Sequence, residues 1–298
     1  MKSIKNNLSH TFFVKLKGFK LREFAIGLRL RWRIKAWTEH ILPDFIIIGE
    51  KKAGTTSLYR YLIQHPNIVA PLRKEIGRFL FAKNYNTKLV EPWYRAHFPS
   101  QKIRNHESIT GEANPNYFFH PLAPRRIAGL VPNVKLIVLL RNPIDRAYSH
   151  YHHNLRLRTQ EPLSFGDAIE NEDERLKGAK EQILIERGGW GNKNCYRSYS
   201  YLSRGIYINS LNSWFNFFPR EQFLILSSEN LSKTPIKTVK RVINFLELPM
   251  WQPKITKKFN VGKYPKMSTH TRKKLKKFFE PHNQQLYDML SVDFGWES

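Results

Sequence analysis

Cysteine is almost missing from this chain: Cys195 is the single one in 298 residues. That excludes an intramolecular disulfide and any zinc or iron–sulfur site built from several cysteines, and it fits a reducing compartment such as the cytoplasm. Acidic residues are scarce as well, 24 Asp and Glu against 50 Lys and Arg, which gives a formal net charge of +26. Such a surplus points to anionic partners: nucleic acid, a phosphorylated cofactor, an acidic glycan or a lipid surface. Long apolar runs are absent too. No stretch approaches the roughly 18 apolar residues that a membrane span needs. In the first twenty residues, MKSIKNNLSHTFFVKLKGFK, lysine interrupts each short apolar run, which leaves no signal-peptide core.

What is present is enough for a folded core. Hydrophobic residues make up 41% and aromatic residues 13% of the chain, which excludes a disordered or low-complexity protein despite the charge. Residues 1–42 form a basic, helix-patterned extension, with ten Lys and Arg against Glu23 and Glu39 and apolar residues such as Phe13, Leu16, Phe19, Phe24 and Leu28 at helical spacings. Two readings stay open for it: an amphipathic helix in peripheral contact with an acidic membrane, or an arm packed on its own domain. Pro43-Asp44 ends the pattern, and residues 43–298 read as one domain.

From Phe45 onward strand and helix signals alternate. Phe45 to Ile48 is wholly apolar and suits a strand buried on both faces. Thr55 to His65 is helical in spacing and stops at Pro66. Ser108 to Glu112 is a weaker strand, Pro121 to Leu130 a helix, and Lys135 to Leu140 the clearest buried strand. Asn142-Pro143 then has the pattern of an N-cap and first helical residue, opening a helix past Leu155. Gln222 to Leu226 is a further strand, with a helix after Thr234-Pro235 and a last helix over 268–290, broken or bent at Pro281. The alternation predicts an α/β domain with a central parallel sheet flanked by helices in three layers.

Gly49-Glu-Lys-Lys-Ala-Gly-Thr-Thr-Ser57 sits between the first strand and its helix, with four residues separating Gly49 from Gly54. That is the spacing of a phosphate loop, in which backbone N–H groups and a helix N-terminus cradle phosphate oxygens. The ATP-binding form places Lys directly after the second Gly. Here Thr55 occupies that place, and Lys52 lies two residues before Gly54. A P-loop-like fold with its lysine moved forward implies transfer of a different group.

With these residues the chain resembles the sulfotransferases that use 3'-phosphoadenosine 5'-phosphosulfate (PAPS), in particular the carbohydrate branch with the heparan sulfate N- and 3-O-sulfotransferases and its shorter bacterial relatives. The likeness runs from about Asp44 to Trp296. It rests on Gly49 to Ser57, on LIVLLRNPIDRAYSHY from Leu136 to Tyr151, and on Gly262-Lys-Tyr-Pro-Lys-Met267 followed by a helix with Pro281-His-Asn283. The resemblance implies direct in-line sulfuryl transfer from PAPS to a hydroxyl or amine of a carbohydrate, glycolipid or other glycoconjugate, leaving adenosine 3',5'-bisphosphate and needing no metal. It implies that Lys52 contacts the phosphosulfate, with Lys51 adding field strength. Ala53, Gly54, Thr55, Thr56 and Ser57 would hold the 5'-phosphate, and Arg141 and Ser149 the 3'-phosphate. Lys263 and Tyr264 would belong to a loop closing over the cofactor.

Glu75, in Lys74-Glu-Ile-Gly-Arg-Phe79, matches the family's candidate general base, although Gly77 stands where His or Gln is usual. Glu112 is a second carboxylate at a strand end, placed to orient Lys52 or the acceptor or to satisfy Arg141. The residue after it is Ala113, where eukaryotic members carry Lys. Arg204 and Tyr207 resemble the region flanking the acceptor cleft, whereas Leu211, Trp214 and Phe218 have the spacing of plain core. The stretch from Glu161 to Ser200 is where acceptor selectivity is expected. Asn260-Val-Gly262 replaces the Lys-Gly-Arg run of the heparan enzymes. His150, His152 and His153 invite a metal reading, but no carboxylate is placed to complete a site. The rival readings are a nucleotide kinase or related NTPase, which predicts Lys after Gly54, and a basic nucleic-acid-binding protein, for which charge is the sole support. No nucleic-acid partner is expected.

Overall fold

The computed structural model describes residues 23–81, 85–103, 107–157, 161–185, 190, 194–259 and 261–296. Four parallel strands form its sheet: β1 (Phe45–Gly49), β2 (Gly111–Ala113), β3 (Lys135–Leu140) and β4 (Phe223–Ser227), in the spatial order β2-β1-β3-β4. Phe45 stands opposite both Gly111 and Lys135, and Leu136 opposite Phe223. All of β1 is buried, as an apolar strand between two helical layers must be.

Alternation of side chains divides the core into two. Ile46, Ile48, Leu136, Val138 and Leu140 point into one cluster, and Phe45, Ile47, Ile137 and Leu139 into the other. The second cluster is covered by α1 (Thr55–Leu62), through Leu58, Tyr61 and Leu62, and by a helix over Pro235–Phe245, through Val239, Val242 and Ile243. The first is covered by Leu211 and Trp214 of the helix Tyr207–Phe215, and by Leu286 and Leu290 of the C-terminal helix Thr269–Leu290. These are the three layers expected from the alternation of elements. A third cluster joins α2 (Pro143–Arg156), through Ile144, Ala147 and Tyr151, to Phe165, Tyr201, Leu275 and Phe279.

Local chemistry sets the element ends that matter for the site. Asn142 caps α2 as its sequence suggests, its side chain accepting from Ile144 N at 3.0 Å, with Pro143 in the first turn. The stretch before Gly111 is not part of β2: Ile109 bridges Ile68 instead, and Thr110 exchanges hydrogen bonds with Asp44. Pro281 does not end the last helix, which runs through it. Leu275 and Phe279 before it and Asn283, Leu286 and Leu290 after it are all buried, so packing along both halves outweighs the lost backbone bond. Trp214 and Phe218 are core, as their spacing predicts, and Trp214 Nε1 donates to Phe118 O at 3.0 Å. Among the described residues no helix is long and apolar enough to cross a membrane.

Gly111 marks a close approach between two strands, because a Cβ there would lie 2.5 Å from Phe45 O, within the β1–β2 pair. Gly111→Ala is therefore expected to destabilise the fold by roughly 1–3 kcal/mol, read as a lower urea midpoint at unchanged m value.

Candidate active site

Ligands of open parallel sheets bind beyond the carboxyl ends of the strands, and the main cavity of the protein, about 890 Å³, lies there. Its floor is the loop between β1 and α1. Lys52 adopts φ of +75° and Gly54 φ of +100°, so the chain doubles back before α1 starts. Lys51, Lys52, Ala53, Gly54, Thr55, Thr56 and Ser57 all line the cavity.

The end of β3 supplies the next wall. Arg141 Nη1 donates to Lys52 O at 3.1 Å, so the arginine and the loop share one surface. Glu112, which the sequence offers as a partner for Arg141, accepts from two tyrosines instead, and nearby Asp145 pairs with Arg272. One face of α2 continues the wall with Asp145, Ser149, His153 and Arg156, a helical spacing that keeps these side chains in register. The sequence considers His153 only as a metal ligand and does not single out Arg156, yet the spacing of both from Ser149 places them on this wall.

The third wall is the segment before the C-terminal helix. Lys258, Phe259, Val261, Gly262 and Tyr264 line the cavity. Tyr61 donates to the carbonyls of Thr256 and Lys257 at 2.9 and 3.0 Å, Phe259 N donates to Ser57 Oγ at 3.0 Å, and Arg60 lies over the Phe259 ring. Tyr264 stacks on His152 with ring centroids 4.5 Å apart. Lys263 is exposed and outside the cavity lining. Asn260 lies outside the described residues, as do parts of the stretch 161–200.

The opposite rim holds Glu75, Pro115, Asn116, Arg197 and Ser198. Glu75 is half-exposed and ion-paired with Lys74 at 2.7 Å, and the same Lys74 ammonium donates to Thr56 Oγ1 at 3.0 Å. Lys74 thus ties the candidate base to the phosphate loop, a link no sequence spacing reveals.

Three expected site residues are placed behind the cavity instead. Glu112 is buried, accepting from Ile76 N at 3.0 Å, Tyr94 Oη at 2.8 Å and Tyr117 Oη at 3.0 Å, so it orients the Lys74–Gly77 turn and reaches neither Lys52 nor Arg141. Burial pushes its carboxyl up to about 7 against those hydrogen bonds. Arg204 is buried against Glu50, Nη2 to Oε1 at 2.8 Å, and also donates to Pro115 O and Asn116 Oδ1. Tyr207 donates to Arg141 O at 2.7 Å. Both hold loops rather than line the cleft. Glu50, a loop residue whose identity the phosphate-loop spacing leaves open, is the partner that makes this possible.

The electrostatics of the cavity are one-sided. Burial, then Arg156, Arg141 and Arg146, lowers Lys52 to about 8. Burial, then Lys52, Lys51 and Arg156, pushes His153 down to about 3. Lys51 Nζ lies 2.6 Å from His150 Nε2, and burial beside three arginines holds that lysine well below its ordinary value. Lys51 therefore adds less field than its charge in the sequence suggests. Cations crowded with so few carboxylates form a site prepared for a polyanion. Among the described residues no group of His, Cys, Asp or Glu is arranged to hold a metal ion.

A parallel α/β sheet with a phosphate cradle at its carboxyl edge, and a second cationic contact at the end of β3, defines a nucleotide-dependent transferase of the P-loop-like class. Comparison with known proteins gives the family. Residues 42–285 match the sulfotransferase domain. The chain is 30% identical to mouse heparan sulfate glucosamine 3-O-sulfotransferase 6, covering 86% of this chain and 74% of that one. It is 29% identical to the membrane-associated sulfotransferase kil1 of Dictyostelium discoideum, covering 86% and 67%. The crystal structure of a sulfotransferase from Alicyclobacillus acidocaldarius superposes with a TM-score of 0.66 at 26% identity, over 87% of this chain and all of that one. The chain belongs to the sulfotransferase family, and its sequence-level resemblance to the carbohydrate branch holds.

The buried Glu50–Arg204 pair makes a direct prediction. Arg204→Met leaves Glu50 charged and unpaired in the interior, and is expected to cost roughly 3–5 kcal/mol, measured by urea denaturation.

Proposed function

We propose that the protein transfers a sulfuryl group from PAPS to a hydroxyl or amine of a carbohydrate or glycoconjugate. The observation that carries this reading is the joining of Arg141 to the Lys52 carbonyl, which unites the phosphate loop and the β3 end in one cation-rich cavity. A nucleotide phosphorylated at both the 3' and 5' positions needs two such contacts, and ATP needs the lysine after Gly54 that this chain replaces with Thr55.

The residues fit that donor. The N–H groups of Gly54, Thr55 and Thr56 and the hydroxyls of Thr55, Thr56 and Ser57 would hold the 5'-phosphate, and Arg141 with Ser149 the 3'-phosphate. Tyr264, steadied by His152, would cover the nucleotide; exposed Lys263 contributes at most to the field around it. When bound, PAPS supplies the activated sulfuryl group. Lys52 places an ammonium where negative charge grows on the departing phosphate, an interaction stronger in the transition state than before it. Its lowered affinity for a proton is reversed by a neighbouring dianion, so the lysine is fully charged when the charge is needed. Glu75, on the open rim, accepts the proton of the attacking hydroxyl or amine.

The acceptor side is lined by Glu75, Pro115, Asn116, Arg197 and Ser198. The name of the mouse relative supports a sugar acceptor. Arg197 and the general excess of cations suit one that is itself acidic. The single cysteine supports a cytoplasmic setting, and the likeness to the Alicyclobacillus enzyme supports the compact bacterial type.

Thermal unfolding without magnesium tests the donor. Adenosine 3',5'-bisphosphate at a hundredfold excess over Kd should stabilise the protein by about 2.7 kcal/mol, ATP far less, and Arg141→Ala should abolish most of the bisphosphate effect. Equal shifts with both nucleotides would instead favour the kinase reading. The bisphosphate effect on the free protein should also weaken as pH rises through about 8, where Lys52 loses its proton.

Turnover tests the chemistry. With folding intact by circular dichroism, Lys52→Ala should lower kcat by roughly 100- to 1,000-fold, and Glu75→Gln by roughly 100-fold or more with bisphosphate binding retained. Unchanged turnover in Glu75→Gln would remove that residue from the mechanism.

A further inference from the structure

The helix over residues 23–35 precedes the region matched to the sulfotransferase domain and presents two unlike faces. One face holds it on the domain. Ile26 is buried, Leu30 and Ile34 are half-buried, Arg33 Nη1 donates to Ala96 O at 3.4 Å, and Glu23 pairs with Arg73. The other face is open. Four-residue spacing aligns Phe24, Leu28 and Trp32 in a single stripe, and these side chains are 67%, 45% and 74% exposed.

Charge decides what this stripe meets. Lys35 falls within it, Arg31 at its edge and Arg29 beyond Trp32 on the same open side, all three exposed, with Lys35 Nζ 5.6 Å from the centre of the Trp32 ring. Glu23 is the helix's single carboxylate and is already paired. Large apolar groups side by side in water mark an interaction surface. Phe, Leu and Trp interleaved with Arg and Lys alone, without acids, is the composition of a helix lying in a bilayer interface: apolar groups enter below the headgroups while the long basic stems reach up to lipid phosphates.

We propose that this face docks the protein on an anionic membrane surface, with Phe24, Leu28 and Trp32 inserted and Arg29, Arg31 and Lys35 meeting lipid phosphates. For residues 23–35 the two readings of the basic extension are then two faces of one helix; Phe13, Leu16 and Phe19 lie outside the described residues. The contact to Arg73 also fastens the docking helix to the chain that continues into Lys74 and Glu75 at the rim of the cavity.

Co-sedimentation of the full chain with vesicles is the test. The protein should bind phosphatidylcholine vesicles containing phosphatidylglycerol and bind phosphatidylcholine alone weakly. The triple variant Phe24→Ser, Leu28→Ser, Trp32→Ser should bind the anionic vesicles at least roughly tenfold more weakly. A second variant, Arg29→Glu, Arg31→Glu, Lys35→Glu, should lose the preference for anionic lipid and guards against misfolding of the first. Both variants should keep the wild-type stabilisation by adenosine 3',5'-bisphosphate, which reads the nucleotide site separately. Failure of the wild type to bind, or undiminished binding by both variants, would overturn the proposal. So would vesicle-free dimerisation that the triple variant abolishes, since the stripe would then be an interface between copies.

Discussion

The buried ion pair between Arg204 and Glu50 is the constraint on which the site depends. Glu50 opens the loop after β1, and its Oε1 also accepts from Lys51 N at 2.6 Å. Arg204 Nη2 also donates to Pro115 O, and Nη1 donates to Asn116 Oδ1, both in the loop after β2. Three residues on, Tyr207 holds the carbonyl of Arg141 at the end of β3. Between them Gly205 packs so closely that a Cβ would come within 2.7 Å of Phe279 and 3.0 Å of Pro143. One short segment, 204–207, therefore fixes the exits of three neighbouring strands relative to one another. A buried ion pair contributes little net stability, but breaking it would release the loop geometry that any anion-binding cradle requires.

That cradle is held in an unfavourable electrostatic state. Lys52, His153, Arg141, Arg156 and Arg197 face one cavity, and Lys51 sits at its edge beside His150. Of the carboxylates that line the same space, Asp145 is taken by Arg272, and Glu229 by Asn142 N and Ser227 Oγ. Burial first, and then this crowding, lowers the proton affinity of Lys52 and His153. A bound polyanion relieves the repulsion and restores the charge of Lys52. In the proposed reaction the same field that discourages protonation in the free protein would stabilise charge developing in the transition state.

Much of this was legible in the sequence, because it is local. The apolar run of β1, the glycine spacing of its loop and the Asn-Pro opening of α2 each follow from neighbouring residues, and together they place Lys52, Arg141 and Ser149 at one sheet edge. What was not legible depends on distant partners. Arg204 and Glu50 are 154 residues apart, so nothing in either segment shows that Arg204 braces a loop instead of facing an acceptor. Glu112 has the look of a site carboxylate at a strand end, but only the fold brings Tyr94 and Tyr117 over it. Pro281 breaks helices in isolation, and here the burial of residues on both sides holds the helix straight through in sequence. Lys263 lies between the cavity residues Gly262 and Tyr264, yet it is exposed and outside the lining.

The choice of a base between two glutamates becomes a question of access. Glu112 holds its proton more tightly than an ordinary carboxyl, which would suit a base. Yet its oxygens are consumed by two phenols and a backbone N–H, and it does not line the cavity, so a substrate proton has no route to it. Glu75 lies on the cavity rim, and Lys74 joins it to Thr56 of the phosphate loop. A carboxylate used as a base in an electropositive cleft must be reachable and must be kept at a fixed distance from the donor. Glu112 contributes to the second requirement by anchoring the Ile76 N–H, one residue beyond Glu75. The inner glutamate thus sets the turn, and in the proposed reaction the outer one, on the cavity lining, is the one that would meet the acceptor.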